Sequence, residues 1–106
     1  MQTNLNTPAK ADTMAGAARF PLGRLFLTPG AIEALAESEQ EPFEFLRRHQ
    51  SGDWGDLGTE DKRENEFSVP RVLRILSKYH TAEGAALYVI TEADRSATTI
   101  LLPSEY

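Results

Sequence analysis

Glu92, Asp94 and Arg95 fall in one six-residue polar connection, Glu92 to Ala97, with Thr98 and Thr99 just beyond it. Two carboxylates held together can divide acid and base roles when their surroundings pull their proton affinities apart. Here the connection joins two apolar, β-favouring runs, so it reads as a hairpin tip, where water keeps both carboxylates near ordinary behaviour. Turn chemistry and charge pairing across the hairpin are the expected use of Asp94 and Arg95. His80 beside Tyr79 is another group able to move a proton, but no nucleophile is placed near it by sequence. Gly52-x-x-Gly55-x-x-Gly58 lacks the strand–helix context and the lysine of a phosphate cradle. The chain has no cysteine, which excludes disulfides, thiol nucleophiles and Cys-type zinc or iron–sulfur sites. His49 and His80 alone cannot build a His-rich metal site. The expectation is a protein that is not an enzyme and holds no cofactor or metal.

The other candidates are residues for contact with a partner. Trp54, inside Gly52-Asp53-Trp54-Gly55-Asp56, has the setting of an exposed aromatic anchor. The alternative is that it folds back over the neighbouring helices, with Gly52 and Gly55 supplying unusual backbone angles. Asp61-Lys62-Arg63-Glu64-Asn65 carries alternating charges of the kind that pair along an exposed helix. A helix that reads nucleic acid needs net positive charge, and Glu60, Asp61, Glu64 and Glu66 outnumber Lys62 and Arg63. Asp53, Trp54, Asp56, Glu60, Asp61, Glu64, Asp94 and Arg95 are therefore the candidate partner-binding residues. From Glu33 to Glu66 eleven acids face four bases, a balance of −7 that leaves the rest of the chain at +2. Such a segment repels nucleic-acid backbones and suits a basic surface on another protein, although a solvated helical face has the same composition. A nucleic-acid role, the less favoured class, would fall to Arg19, Arg24, Arg71, Arg74 and Lys78 of the more basic remainder.

These residues need a scaffold. At 106 residues the chain suffices for one domain with a real core. Residues 1–19 lack apolar periodicity and read as a disordered tail; the domain runs from 20 to 106. Leu22–Leu27 reads as a strand, with Thr28 as N-cap and Pro29 as first residue of a helix through Glu37. Pro42 opens a second helix, to Gln50, with Phe43, Leu46 and Gln50 on one side; the two suggest a helical hairpin. Thr59 caps a third, Glu60 to about Phe67, nearly all charged and so exposed. Residues 72–80 fit both helical and alternating spacing, and the Thr81–Gly84 turn that follows favours strand. Strands 85–91 and 97–102 complete a meander. The fold expected is α+β: a small, mostly antiparallel sheet of about four strands, helices on one face, the other face open to an oligomer or partner. No apolar run is long enough for a bilayer, and the first residues, with a single Lys10, have no secretory pattern, so a cytoplasmic location is expected.

Ser51-Gly-Asp-Trp-Gly-Asp-Leu57, Asp61-Lys-Arg-Glu-Asn65 and Ile90-Thr-Glu-Ala-Asp-Arg-Ser-Ala-Thr-Thr-Ile-Leu-Leu-Pro-Ser-Glu-Tyr106, with Phe45-Leu-Arg-Arg-His49, follow one another in an order that has a parallel elsewhere. From Phe20 to Tyr106 the chain resembles a family of small, uncharacterised proteins carried by bacterial plasmids and integrative elements. The resemblance implies a context, an accessory protein of a mobile genetic element, where maintenance, transfer and evasion of host defence are common tasks. It implies no catalytic residue.

Overall fold

The computed structural model describes residues 17–106. The expected tail lies outside the described residues except for its last three, and of these Arg19 is built into the fold. Its N–H donates to the Gln50 carbonyl at 2.8 Å, and its guanidinium pairs with both oxygens of Glu66, at 3.0 and 2.8 Å.

The elements run β1 (Arg24–Leu27), α1 (Pro29–Ser38), α2 (Pro42–Gln50), α3 (Thr59–Ser68), β2 (Ile75–His80), β3 (Ala86–Thr91) and β4 (Ala97–Leu101), ending in a 3-10 turn, Pro103–Glu105. One sheet in the order β1-β4-β3-β2 unites the strands. β2, β3 and β4 form the expected antiparallel meander, whereas β1 pairs parallel to β4, so the sheet is mixed. The connection from β1 to β2 crosses the whole sheet, and the three helices are that crossover. α1 packs on β4 and α2 on β3, covering one face as expected; α3 lies beside β2.

Alternation decides which residues enter the core. Ile75, Ser77 and Tyr79 of β2, Leu87, Val89 and Thr91 of β3, and Thr98 and Ile100 of β4 are fully buried and share the helix-covered face. Ala31, Ala34 and Leu35 of α1 and Phe45 and Leu46 of α2 pack onto them. Each buried Leu, Ile or Phe side chain contributes about 1.5–3 kcal/mol. A second cluster, Phe20, Trp54 and Ile75, closes the end of the sheet nearest α3. On the other face Ile90 and Leu101 are also buried, at 4% and 7% exposure, so the continuous apolar runs do report burial on both sides.

Several local expectations change. Gly23 has φ +68°, and a Cβ there would lie 2.4 Å from the Ser96 backbone, so β1 starts at Arg24 rather than Leu22. Thr28 does cap α1, accepting from Ala31 N–H at 3.2 Å. Thr59 does not cap α3; it is the first helical residue, and Gly58 holds the cap position without a side-chain bond. Phe43 points outward, 60% exposed, because α2 turns Phe45, Leu46 and His49 to the sheet. Residues 72–74 are not strand: Val72 has φ 55° and Leu73 N–H reaches back to the Ser68 carbonyl at 3.2 Å, so β2 starts only at Ile75.

Candidate functional site

The face of the sheet away from α1 and α2 is open at its β2–β3 end, and a groove of about 470 Å³ lies there. Its floor is Leu76, Lys78 and Tyr88, side chains that alternation places opposite the core. One wall is α3, with Asp61, Glu64, Asn65 and Ser68, extended by Asp56 and Leu57 from the preceding loop. The opposite wall is Arg74 and the C-terminal Tyr106. The chain end folds back because Glu105 holds it: its carboxylate accepts from Gly30 N–H at 2.9 Å, Thr28 Oγ1 at 2.5 Å and Leu102 N–H at 2.8 Å. An anion at the N-terminal end of α1 meets unpaired amides and the positive end of the helix dipole. The Thr28 hydroxyl and then these amides keep the Glu105 carboxyl below the usual range. Tyr106 is thereby set edge-on against Tyr88, ring centroids 5.8 Å apart, with the Arg74 guanidinium 5.3 Å from its ring centroid.

α3 divides by side. Asn65 and Glu66 bind the fold. Asn65 donates to the Leu76 carbonyl at 2.7 Å and accepts from Leu76 N–H at 3.2 Å. Glu66 takes Arg19 and, at 2.9 Å, the Trp54 indole N–H, and these bonds, Arg19 first, bring its carboxyl down to about 2. Glu60, Asp61 and Glu64 have no ion-pair partner among the described residues, although Lys62 and Arg63 share their helix and Arg74 and Lys78 line the same groove.

The structure brings Asp56, Asp61 and Glu64 to one groove, with Glu60 exposed on the same helix. These carboxylates do not converge into a metal-ion site among the described residues. Asp56 accepts from His80 Nδ1 at 2.8 Å, which lowers its carboxyl below the ordinary range. Asp53 is turned elsewhere, paired with Arg48 at 2.7 Å and accepting from Gly55 N–H at 3.1 Å. Trp54 is 3% exposed, stacked 6.4 Å from Phe20, so it is an internal plug rather than an exposed anchor. Asp94 accepts from Ser96 N–H at 3.0 Å within its own turn. Arg95 is no free cation for a partner either: its guanidinium donates to the carbonyls of Leu73, Glu92, Ala93, Ser68 and Val69 at 2.7–3.3 Å. The hairpin tip is thus spent on tying itself to the end of α3.

Sequence reasoning missed the side chains that make the groove concave, Arg74, Lys78, Tyr88 and Tyr106, as one group. The register between β2 and β3 sets Lys78 beside Tyr88, and Tyr106 and Arg74 join them from outside the strands, so only the alternation in each run hinted at the group. It also weighed His49 only as a metal ligand and gave it no place in the core. That residue is fully buried, with Nδ1 2.6 Å from Ser77 Oγ and Nε2 2.9 Å from Thr91 Oγ1. A hydroxyl beside an imidazole is the pairing of a nucleophile and its base. Ser77 and His49 are both 0% exposed, however, so no substrate reaches them and the pair belongs to the core. Compared with protein-family models, with curated proteins and with solved structures, the chain matches none.

Proposed function

We propose that the protein is a non-enzymatic interaction module of a mobile genetic element, acting in the cytoplasm on another protein that presents a basic surface. The observation that carries this reading is the unpaired acidic side of α3. Glu60 and Glu64 lie one helical turn apart, a like-charge spacing that costs an isolated helix a few tenths of a kcal/mol, and Asp61 stands with them. Groups from a partner, not from this chain, would neutralise them. A finer version has the acids occupy a DNA-binding surface in a host defence or restriction system, since arginines that grip phosphates also grip carboxylates. No helix among the described residues is long and apolar enough to cross a membrane.

The test is co-purification of the tagged chain from a host carrying the parent element, with nuclease treatment. The expected result is a stoichiometric protein that survives nuclease, is released by salt, and is lost from the E60K/D61K/E64K variant. Retention by that variant, or indifference to salt, removes the acidic wall from the binding surface.

A second reading is a nucleic-acid-associated accessory factor in maintenance or transfer, and one specific observation favours it. Of the five bases considered, Arg24, Arg74 and Lys78 share the open face with Phe26, Tyr88 and Tyr106. Basic residues interleaved with aromatics on a sheet suit single strands, whose bases stack. Arg19 and Arg71 are engaged internally, by Glu66 and by the Phe67 ring and carbonyl. Titration of labelled single- and double-stranded DNA at low salt decides: no binding there ends the idea.

A further inference from the structure

The two edges of the sheet are finished differently. On β2 the outward backbone groups of Leu76 and Lys78 are taken. Asn65 satisfies both those of Leu76, and the Trp54–Asp56 segment runs alongside: Lys78 N–H donates to the Trp54 carbonyl at 3.2 Å, and Asp56 N–H to the Lys78 carbonyl at 2.6 Å. β1 has no such cover. Arg24 N–H bonds the Ser96 carbonyl at 2.9 Å and Thr28 N–H the Ile100 carbonyl at 3.1 Å. The even-numbered residues therefore turn their amides to β4, while Leu25 and Leu27 turn theirs away from the sheet. Among the described residues nothing bonds the backbone of Leu25 or Leu27 on that side. Leu25 and Phe26 are 41% and 45% exposed. An unpaired edge carrying half-exposed apolar side chains is what strand addition uses.

We infer that this edge pairs antiparallel with the same edge of a second copy of the chain, with the two-fold axis at Phe26. The order of residues makes the edge self-complementary. In an antiparallel ladder a hydrogen-bonded pair exchanges both of its bonds. Leu25 of one copy then faces Leu27 of the other, and Leu27 faces Leu25, which satisfies every outward group of the strand. Phe26 meets its own symmetry mate in a non-hydrogen-bonded pair, Cα atoms about 4.5 Å apart, the rings on the open face. Arg24 falls opposite Thr28, so the strand's one charge meets no like charge. Centring the axis on Arg24 would oppose two guanidinium groups, and centring it on Leu25 would leave Leu27 against Gly23. The contact closes as a dimer, joining the two sheets into one with the helices of both copies on the same side. It is small for a stable interface, so the association is concentration-dependent.

The absence of cysteine makes the register testable, because Phe26→Cys places a single thiol on the axis. A disulfide needs Cα atoms about 4.4–6.8 Å apart, which this register supplies. Under mild oxidation the full-length F26C chain is expected to form covalent dimer at least tenfold faster than F67C, whose thiol would sit on exposed α3 beside the opposite edge. In sedimentation the unmodified chain is expected to gain mass with concentration. Leu25→Pro removes an outward N–H together with the half-exposed leucine side chain and spares the β1–β4 ladder, so it should keep the native circular dichroism and lose the dimer. A chain that stays monomeric over the whole concentration series overturns the inference, and so does F26C crosslinking no faster than F67C.

Discussion

His49 shows how a single buried residue can be read to its proton. Thr98 Oγ1 lies 2.7 Å from the Leu22 carbonyl, which can only accept, so Thr98 donates there. Thr91, 2.7 Å away, then donates to Thr98 and can only accept from His49 Nε2. The imidazole therefore carries its hydrogen on Nε2, and Ser77 donates to Nδ1. The chain runs one way from Ser77 to Leu22, and a second ring proton would require the Ser77 hydroxyl to turn round and accept. Burial, and then the charge of Arg95, bring His49 down to about 3, against 6.5 when unfolded. The unfolded chain thus takes up a proton first as pH falls, so stability is full above 6.5 and is lost between there and 3. The slope approaches about 1.4 kcal/mol per pH unit below the unfolded value. Urea midpoints between pH 7 and 5, above the carboxylate range, are expected to fall steeply for the natural chain and much less for His49→Gln. Equal slopes would show that His49 is not held neutral. None of this was legible in the sequence, because His49, Ser77, Thr91 and Thr98 come from four different elements and carry no spacing signal.

At the level of elements, what could be read was whatever is fixed locally. Thr28-Pro29 marks the start of α1, and the polar stretch between Thr91 and Ala97 marks the β3–β4 turn, because cap and turn chemistry need only neighbours. The parallel docking of β1 on β4 has no such local mark: its partners lie about seventy residues on, Leu25 opposite Thr98. The late start of β2 was hidden for a related reason. Arg95, itself at φ 62°, reaches from the hairpin tip to the carbonyls of Ser68, Val69 and Leu73, holding residues 69–73 away from the sheet. A lysine is a point donor and cannot span that set, so Arg95→Lys is expected to cost about 1–3 kcal/mol in chemical denaturation. A loss under a few tenths would mean that the carbonyls are as well served by water. Asn65 does for the β2 edge what another strand would do. Asn65→Asp keeps the acceptor for Leu76 N–H but sets an oxygen against the Leu76 carbonyl, an unsatisfied buried contact worth about 1–3 kcal/mol. Unchanged stability in Asn65→Asp at neutral pH would contradict that role.

For the molecule as a whole, charge and edge chemistry separate the two associations proposed. Each copy carries −5, concentrated in the helical layer, while the β1 edge offers apolar side chains and backbone groups with Arg24 as its charge. Two copies approaching edge to edge repel through their net charge but are held by contacts that salt does not screen. A basic partner approaching α3 is drawn in by the same charge. Ionic strength therefore acts in opposite directions. At about 0.01 M salt the screening length is roughly 30 Å, comparable with the molecule; at 0.15 M it is about 8 Å, so most of the long-range repulsion and attraction is gone. Self-association of the isolated chain is expected to strengthen over that range, and capture of the partner to weaken. Sedimentation of the chain alone and binding to the purified partner, each along one salt series, measure the two trends. If both weaken together, the dimer contact is electrostatic and cannot be the β1 edge; if both strengthen, the partner does not dock on the acids of α3.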